Sequence, residues 1–393
     1  KGGFGGVAIM SFLSPHNTTV SKNILVIDDS KLNRAIVKNT LLNYNIQVFE
    51  AADGLEGLTV LQSRHFDLIL LDIVMPNLDG FGFLEQCKQY IGDDFIPVIL
   101  MTGLDDLNSK IKGLTIGADD FLLKPLNQKE LIARVQSLLR LKQAHDELYE
   151  KNQQIQKELE YAKRLQQFII PKDFSFISYP SISGRYLPIA DIGGDLFDCY
   201  KISDSKIGVL IADVTGHGIA AALVMSMAKM TFNIYSYEIF PTQQLMSKIN
   251  EEMRGLLLDM QYITAFYMLI DNDHQNIAFT NAGHTRPLYY RKSTDKIIAL
   301  DTNGLFLGIQ DESLYEQKSI HYEPGDRCIL YTDGITELKD DNNEEFGEVR
   351  LAKFLKQHNN TSGSFCDNLL QTLEHFAPLK ERSDDIAFLF IEF

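Results

Sequence analysis

Five short apolar runs follow one another from Asn23 onward, and each is separated from the next by a segment long enough for a helix. The runs cover residues 24–27, 48–49, 67–71, 97–101 and 120–123. Residues 32–42, between the first two runs, have the apolar spacing of a helix. Buried strands that alternate with helices form βαβ units, which build a parallel sheet. Five such units in about 120 residues predict one doubly wound α/β domain.

Polar side chains occupy the carboxyl ends of these predicted strands. Asp28 and Asp29 follow the first strand, Asp72 follows the third, Thr102 ends the fourth and Lys124 ends the fifth. The carboxyl ends of parallel strands meet at one ligand crevice, so we expect these side chains to lie together. A single Asp at a strand end is more often a helix cap or a turn residue, but caps do not explain all five positions.

This group of side chains suits an aspartate that accepts a phosphoryl group. Three carboxylates in one crevice would repel one another, and a hard divalent ion such as Mg2+ would neutralise them. The hydroxyl of Thr102 and the ammonium of Lys124 would suit the oxygens of a phosphoryl group on Asp72. The bond between Lys124 and Pro125 is a candidate for the cis form, which a tight turn can require.

The same residues resemble the CheY-like response-regulator receivers over residues 22–140. The matching stretches are Ile-Asp-Asp-Ser at 27–30, Leu-Asp-Ile-Val-Met-Pro at 71–76, Asp-Gly at 79–80, Met-Thr-Gly at 101–103 and Lys-Pro at 124–125. The resemblance implies that Asp72 is the phosphoacceptor and that a sensor histidine kinase is a partner.

Further roles for single residues come from that resemblance alone. It implies that the receiver Mg2+ is held by Asp28, Asp29, Asp72 and the carbonyl of Val74. Thr102 and Lys124 would contact the phosphoryl group. Phe121 matches the aromatic switch position of these receivers, and an ordinary core Phe is the equal alternative.

Residues 141–170 are predicted to form a helical, coiled-coil-like linker. The stretch is rich in Lys, Glu, Gln and Leu and contains no Gly or Pro before its end. Apolar or small residues recur every seven positions, at Leu141, Leu148, Ile155, Ala162 and Ile169. The other half of the heptad seam is polar at His145, Asn152 and Gln166, with Leu159 as its apolar member. Such a helix either pairs with its copy in a homodimer, which we favour, or packs on a flanking domain.

Composition limits the partners and the compartment. The 393 residues carry a formal net charge of -16, which disfavours nucleic acid and anionic membranes and favours divalent cations. Four cysteines without CxxC spacing indicate a reducing, cytoplasmic setting. The sequence contains no run of eighteen apolar residues, so it predicts no membrane span. We expect residues 1–21 to be a disordered tail or a remnant of cloning.

The chain from residue 171 to 393 follows a different pattern. Short strands are predicted at residues 207–211, 264–270, 327–331 and 386–391, with helices near residues 220–235 and 242–258. Strands and helices in grouped runs are typical of an α+β domain with mainly antiparallel sheets.

Carboxylates again collect beside glycines and strand ends in this part of the chain. They are Asp191, Asp195, Asp198, Asp213, Asp333, Asp384 and Asp385. A site rich in carboxylates and poor in His and Cys suits Mg2+ or Mn2+. Two such ions could lower the pKa of a shared water and orient it for attack on a phosphate. The chain has no Walker lysine loop, GxSxG elbow or Cys-His nucleophile to compete for that role.

These stretches resemble the PPM-type (protein phosphatase 2C-like) enzymes of the SpoIIE branch over residues 162–393. The matches, in family order, are the segment 162–171, Gly-Gly-Asp-Leu-Phe-Asp at 193–198, Asp-Val-Thr-Gly-His-Gly at 213–218, Asn-Ala-Gly-His at 281–284, Tyr-Thr-Asp-Gly at 331–334 and Ser-Asp-Asp-Ile at 383–386. The resemblance implies a β-sandwich flanked by helices. His217 and His284 are more plausible as turn or core residues than as ligands, and Arg185 is a remote candidate for contacting substrate phosphate.

The catalytic roles of single residues are again implied by the resemblance. Asp213 would bridge two Mn2+ or Mg2+ ions with help from the carbonyl of Val214. Asp333 and Asp384 would complete the second ion, and Asp195 would act through a metal-bound water.

Two functions are compatible with this reading. The first is a metal-dependent protein serine/threonine phosphatase, gated by phosphorylation of Asp72, whose substrate is a phosphorylated STAS-type anti-sigma-factor antagonist. The second is a non-catalytic adaptor that binds a sigma factor or its regulator through a degenerate phosphatase domain. A degenerate domain should have lost at least one acid, and all four catalytic candidates are present, so the enzyme is favoured. A third function, a DNA-binding regulator, is less well supported than either of these because no basic recognition helix is evident.

Overall fold

The structure is a computed structural model that describes residues 21–91, 94–103, 107–216, 218–238, 241–257, 261–310, 313–357 and 362–393. All but the last residue of the tail predicted for residues 1–21 lies outside these ranges. The chain forms two compact units, of which the first ends at Gln154 and the second begins at Ile155. This division falls inside the segment predicted as the linker.

The first unit contains a five-stranded sheet in the order β2-β1-β3-β4-β5, with every pair of neighbours parallel. The strands are β1 Lys22–Ile27, β2 Ile46–Ala51, β3 Leu68–Asp72, β4 Val98–Thr102 and β5 Asp120–Leu123. The helices between them are α1 Lys31–Leu41, α2 Gly54–Ser63, α3 Gly80–Ile91 and α4 Leu107–Ile116. The predicted doubly wound α/β fold is confirmed.

Local signals explain where several of these elements begin. The Ser30 hydroxyl caps α1 by accepting a hydrogen bond from the backbone of Asn33. The Asp53 carboxylate caps α2 by accepting one from the backbone of Glu56. Such side-chain oxygens satisfy amides that have no partner within the helix. Because β1, β3 and β4 are buried on both faces, their apolar runs are continuous rather than alternating.

One continuous helix, α5, runs from Gln128 to Ile169 and contains most of the predicted linker. It begins after Asn127, whose side chain accepts hydrogen bonds from the first turn. Three apolar members of its heptad pattern are about half exposed: Leu141 (49%), Leu148 (59%) and Ile155 (51%). These side chains therefore form a largely uncovered apolar stripe on the helix.

The second unit contains two five-stranded antiparallel sheets, in the orders β13-β10-β9-β8-β7 and β12-β11-β14-β15-β6. The strands are β6 Ser181–Leu187, β7 Leu196–Lys201, β8 Lys206–Val214, β9 Ile263–Asp271, β10 Asn276–Ala282, β11 Leu288–Arg291, β12 Lys296–Ala299, β13 Lys318–His321, β14 Arg327–Tyr331 and β15 Ile386–Glu392. The helices are α6 Ile219–Tyr235, α7 Thr242–Arg254, α8 Asp333–Thr336, α9 Gly347–Gln357 and α10 Ser362–Phe376.

The sheets and helices of this unit are layered, and β15 shows how the layers are joined. Its side chains alternate between two cores: Leu389 faces the interior shared by both sheets, whereas Phe390 faces the core under α9 and α10. Phe365 of α10 stacks on Phe390 with ring centroids 3.8 Å apart. On the other sheet, Phe232 of α6 stacks on Tyr267 of β9. The expected β-sandwich flanked by helices is confirmed.

One helix of the described residues, from Ile219 to Glu238, is long and apolar enough to cross a membrane by length and composition. A core helix passes the same test, and Val224, Met225, Ala228 and Phe232 of this helix are buried in the core of the second unit.

Candidate functional site

The carboxyl edge of the parallel sheet gathers three acidic side chains. Asp28 and Asp29 follow β1 directly, and Asp72 is the last residue of β3. One carboxylate oxygen from each lies within 4.8 Å of the others. Asp28 and Asp72 are buried, and Asp29 is exposed. Three oxygen donors at this spacing, with one side open to solvent, suit a Mg2+ ion that keeps several of its waters.

Lys124 lies against two of these carboxylates. Its Nζ atom is 2.8 Å from Oδ2 of Asp28 and 2.6 Å from Oδ2 of Asp72. Burial raises the pKa of Asp72, although the Lys124 ammonium works against that rise. Burial alone would lower the pKa of Lys124, but the two ion pairs outweigh it and the pKa is raised. Lys124 therefore remains charged and holds both carboxylates at the rim.

The remaining receiver candidates lie at or near this rim. Thr102 is buried at the end of β4, and its carbonyl accepts a hydrogen bond from the backbone of Lys124. The backbone N–H of Val74 donates to the Asp72 carboxylate, while the Val74 side chain is 65% exposed. Phe121 is partly buried, packs against the core and lies 5.6 Å from the Arg134 guanidinium. The bond between Lys124 and Pro125 is cis.

In the second unit, four separate segments bring carboxylates together. Asp195 precedes β7, Asp213 lies near the end of β8, Asp333 begins α8 and Asp384 precedes β15. Charge interactions link Asp213 to Asp195, Asp333 and Asp384, which places the Asp213 carboxylate at the centre of the group. The antiparallel pairing of β7 with β8 explains part of this arrangement, because Leu196 pairs with Ala212 and the acids on either side become neighbours.

Burial makes Asp195, Asp213 and Asp333 resist ionisation. It raises the pKa of Asp213 to about 7, and repulsion by Asp333 adds to the effect. Burial and the nearby Asp384 raise the pKa of Asp333 to about 6. The pKa of Asp195 is raised well above its usual value by burial and then by Asp213.

Two neighbouring residues hold this site in place. The Thr332 hydroxyl donates to Oδ2 of Asp195 at 2.7 Å. Asp385 is 3% exposed and accepts hydrogen bonds from the backbones of Ile189 and Gly194, both at 2.7 Å. The sequence placed Asp385 among seven acids beside glycines and strand ends without giving it a role, and it gave no role to Thr332. In the structure, Asp385 organises backbone amides beside the acidic group, and its charge contributes to the raised pKa values of Asp195 and Asp213.

The close approach of two backbone segments explains why residue 334 is a glycine. A Cβ atom on Gly334 would lie 1.9 Å from the carbonyl oxygen of Asp385. The segment carrying Asp333 can approach the one carrying Asp384 and Asp385 only because residue 334 lacks a side chain.

Other candidates from the sequence lie outside this acidic group. Asp191 forms an ion pair with Lys163. Asp198 forms one with Lys229 at 2.5 Å. Arg185 forms an ion pair with the exposed Asp367.

The two histidine candidates have different outcomes. His284 is a buried core residue whose Nδ1 atom is 2.7 Å from the Thr264 hydroxyl, and burial lowers its pKa to about 3. His217 lies outside the described residues.

The donor chemistry of the second site fits hard divalent ions. Its side-chain donors are all carboxylate oxygens, and the carbonyl oxygen of Val214 adjoins them on β8. Within the part of the chain that the structure describes, these acids do not form a group whose ligand atoms all lie within 4.8 Å, in contrast to the receiver rim. Wider spacing suits Mg2+ or Mn2+ ions that keep water in part of their coordination shells.

Fold and sites together define a two-domain chain, in which a receiver-like α/β unit is followed by a sandwich of the protein phosphatase 2C type. Comparison with protein families assigns both parts. The response regulator receiver domain matches residues 24–136, and the stage II sporulation protein E (SpoIIE) family matches residues 203–393. The chain therefore contains a region similar to receiver domains, followed by a region similar to the SpoIIE family.

Individual relatives match one part or the other. A probable transcriptional regulator, ycf27 of Cyanophora paradoxa, is 44% identical over 119 residues, which are 30% of this chain and 48% of that protein. The phosphoserine phosphatase RsbU of Bacillus subtilis is 30% identical over 216 residues, which are 55% of this chain and 64% of that protein. The chain spans about half the length of the first of these relatives and under two thirds of the second.

Among solved structures, the SiaA-PP2C domain of Pseudomonas aeruginosa aligns with a TM-score of 0.55 at 19% identity. The alignment covers 62% of this chain and 98% of that domain. At this level of identity, the likeness shows a common fold.

Proposed function

We propose that the SpoIIE domain is a metal-dependent phosphatase that removes phosphate from Ser or Thr of a protein. The observation that carries this proposal is the convergence of Asp195, Asp213, Asp333 and Asp384 from four separate segments. A partly buried cluster of acids is costly unless it binds cations, and the pKa values of Asp195, Asp213 and Asp333 are raised accordingly. The similarity to a phosphoserine phosphatase of Bacillus subtilis supports the same activity.

Within this proposal, each acid has its own task. Asp213, at the centre of the group, would bridge two Mn2+ or Mg2+ ions together with the Val214 carbonyl. Asp333 and Asp384 would complete the second ion, and Asp195 would hold a water in place. When bound, the ions would supply the acidified water for attack on the phosphorus. Because the pKa values of Asp195 and Asp213 are both raised, metal binding at this site would be coupled to proton release.

The receiver is proposed to regulate this activity. A sensor histidine kinase would phosphorylate Asp72 next to a Mg2+ ion held by Asp28, Asp29 and the Val74 carbonyl. Lys124 would turn from the carboxylates to the phosphoryl oxygens, and Thr102 would donate its hydroxyl. Phe121 would change its packing in response. The domains are taken as residues 22–140 for the receiver, 141–170 for the linker and 171–393 for the phosphatase.

The substrate is proposed to be a phosphorylated STAS-type anti-sigma-factor antagonist in the cytoplasm. This proposal rests on the SpoIIE family match and on the negative charge of the chain, which disfavours nucleic acid as the partner. The alternative is a non-catalytic adaptor that binds the same class of protein. The complete set of four acids favours the enzyme over the adaptor.

The decisive experiment is dephosphorylation of a phosphoserine STAS protein with Mn2+ present, comparing the full chain with Asp213→Asn. Asp204→Asn is the matched control, because the side chain of Asp204 is fully exposed. Each protein is assayed with and without a beryllium fluoride adduct on Asp72, which mimics the phosphoryl group. We expect turnover that requires metal, is lost in Asp213→Asn and is changed by the adduct. Partner binding without turnover in any state would favour the adaptor.

The linker is proposed to pass the signal as a homodimeric coiled coil. The half-exposed stripe of Leu141, Leu148 and Ile155 supports this, because pairing with a second copy would cover it.

Deletions in the linker test this proposal. Deleting one residue between 149 and 154 rotates the following part of the helix by about 100°, whereas deleting seven restores the face to within about 20°. We expect the response to the adduct to be lost with one deletion and kept with seven. A response that survives both deletions would contradict the rigid coiled coil.

A further inference from the structure

A cleft with a volume of about 430 Å3 lies beside β6 in the second unit. Its lining comes from the last turns of α5, from the second half of β6 and from the loop that follows β6. The apolar lining residues Ile170 and Phe197 are buried, whereas the basic lining residue Lys172 is exposed. This cleft, which we call the β6 cleft, therefore has an apolar interior and a charged rim.

The β6 cleft is basic, although the chain as a whole is acidic. Among the lining residues that the structure describes, three are cationic and one, Asp191, is anionic; the cations are Lys163, Lys172 and Arg185. The lining thus has a formal charge of +2 from three cations and one anion, while the whole chain carries -16. A local charge opposite in sign to that of the chain favours a partner that is negatively charged.

The ion pairs of the β6 cleft can be exchanged for pairs with a bound ligand. Lys163 lies 3.3 Å from Asp191, and their side chains are 36% and 44% exposed. Arg185 lies 2.7 Å from Asp367, and their side chains are 36% and 60% exposed. Exposed pairs contribute little to stability, because water weakens the attraction and long side chains lose freedom when they pair. A carboxylate from a ligand can therefore replace Asp191 or Asp367 at little cost.

Tyr186 connects the β6 cleft to the acidic site. Its side chain lines the cleft, and its hydroxyl donates a hydrogen bond to Oδ2 of Asp385, 3.4 Å away. Burial raises the pKa of Tyr186, and the nearby charges of Asp385 and Asp195 raise it further. A phosphoserine at the acidic site would therefore bring the residues beside it in the substrate to the β6 cleft.

The position of β6 in its sheet suits an extended segment of chain. Among the strands that the structure describes, β6 is an edge strand and pairs with β15 alone. An edge strand presents backbone N–H and C=O groups along its open side, and an extended peptide can pair with them. Successive side chains of such a peptide point to opposite sides, so acidic side chains at alternate positions would meet the basic rim together.

We propose that the β6 cleft docks an extended segment of the phosphoprotein substrate that carries acidic side chains next to the phosphoserine. Lys172 and Arg185 pair with these carboxylates, and the apolar interior covers an apolar side chain of the same segment. The contacts are the same before and during the reaction, so they lower KM and leave kcat unchanged. This inference rests on the proposed phosphatase function and adds the charge of the substrate that it selects.

The test compares two phosphoserine peptides as substrates of the full chain in Mn2+. The peptides have the same length and differ only at the three positions on either side of the phosphoserine, which are Glu in one and Gln in the other. Both kcat and KM are measured for wild type, Lys172→Glu and Lys296→Glu, at about 50 mM and about 500 mM NaCl. Lys296 is the matched control, because it is an exposed lysine on β12, at the opposite edge of the sheet that contains β6.

We expect KM for the Glu peptide to be about 5-fold lower than KM for the Gln peptide in wild type and in Lys296→Glu, at equal kcat. In Lys172→Glu the two KM values should agree within about twofold or reverse their order, because a repulsion replaces an attraction. High salt should bring the two wild-type KM values together, since ions screen exposed charges. Arg185→Met is the second variant and should lose the same preference for Glu.

Two kinds of failure are distinguishable. Equal KM values for the two peptides in wild type would overturn the inference, and so would a preference for Glu that survives in both Lys172→Glu and Arg185→Met. If wild type hydrolyses p-nitrophenyl phosphate in Mn2+, Asp213→Asn does not, and neither peptide is turned over, the proposed function stands and the docking inference fails. If p-nitrophenyl phosphate is not hydrolysed either, the proposed function fails and this inference with it.

Discussion

Asp213→Asn should stabilise the second unit when no metal is present. The Asp213 carboxylate is partly buried beside Asp195 and Asp333, and its pKa is raised from 3.8 to about 7. A group whose folded-state pKa is raised contributes stability below its unfolded pKa, and that contribution is lost as pH rises through the folded value. Between about pH 4 and pH 7, the wild-type domain should therefore lose stability. Asparagine has nearly the same shape as the protonated acid and cannot ionise, so it avoids this loss.

The size of the effect follows from the pKa difference. At 1.36 kcal/mol per pKa unit, the change from 3.8 to about 7 corresponds to a gain of about 4 kcal/mol at pH 8 for Asp213→Asn. At pH 5 the unfolded chain is still ionised but the folded carboxyl is not, and the gain falls to about 2 kcal/mol. Mn2+ at 100 times its dissociation constant should stabilise the wild type by about 2.7 kcal/mol and the variant much less.

Hydrogen exchange in urea, followed by mass spectrometry, measures the free energy of unfolding of the second unit. The peptides that are followed come from β8 and β14, so unfolding of the first unit does not contribute to the signal. The measurements are made in EDTA and in Mn2+ at pH 5 and pH 8, with the exposed Asp204→Asn as the control. We expect Asp213→Asn to be more stable than wild type in EDTA, and Mn2+ to narrow the difference. If Asp213→Asn is no more stable than wild type in EDTA at pH 8, the proposed repulsion among the buried carboxylates is absent and the reasoning fails.

Three further predictions follow from named contacts. Lys229→Met should lower the free energy of unfolding of the second unit in urea by about 3 kcal/mol, because it leaves the Asp198 charge buried without its partner. Adding Asp198→Asn should recover most of this loss. A double variant as unstable as Lys229→Met alone would exclude the ion pair as the cause. Gly334→Ala should cost about 2 kcal/mol and most of the turnover, because a Cβ atom would lie 1.9 Å from the Asp385 carbonyl oxygen. Gly255→Ala, whose nearest neighbour would be 3.8 Å away, should stay within about 0.5 kcal/mol of wild type; equal effects of the two changes would disprove the steric argument. Finally, the Mn2+ affinity measured by calorimetry should rise about 10-fold or more from pH 5.5 to pH 7.5. Asp213 and Asp333, whose pKa values are raised to about 7 and about 6, must release protons before they can bind the ions. An affinity that does not change with pH would contradict those raised pKa values.

Most strands could be predicted from the sequence because their signals are local. The run at residues 120–123 coincides with β5, and the run at residues 327–331 coincides with β14. The heptad pattern likewise predicted a long helix across residues 141–170, and α5 covers all but its last residue. The period and the length of an apolar pattern involve only residues that are close in sequence, so a single sequence is sufficient to recognise them.

The roles of nearby acids could not be separated in that way. Asp191, Asp195 and Asp198 lie within eight positions of one another, yet only Asp195 joins the acidic group around Asp213, while the other two pair with lysines. Lys163 precedes this segment by about 30 positions and Lys229 follows it by a similar distance. No local pattern carries that information, because each pairing depends on how the helices pack against the sheets.

The sequence by itself determined the order of the two domains, most of their strands and the supply of carboxylates at strand ends, since these depend on short-range periodicity and on residue chemistry. Only the tertiary structure decided which carboxylates meet, how strongly burial raises their pKa values and where the Gln166 amide is satisfied. A seam position in a heptad can be polar for many reasons. The Gln166 side chain makes two hydrogen bonds with the backbone of Gly193, 27 positions away, and this pairing depends on the tertiary fold.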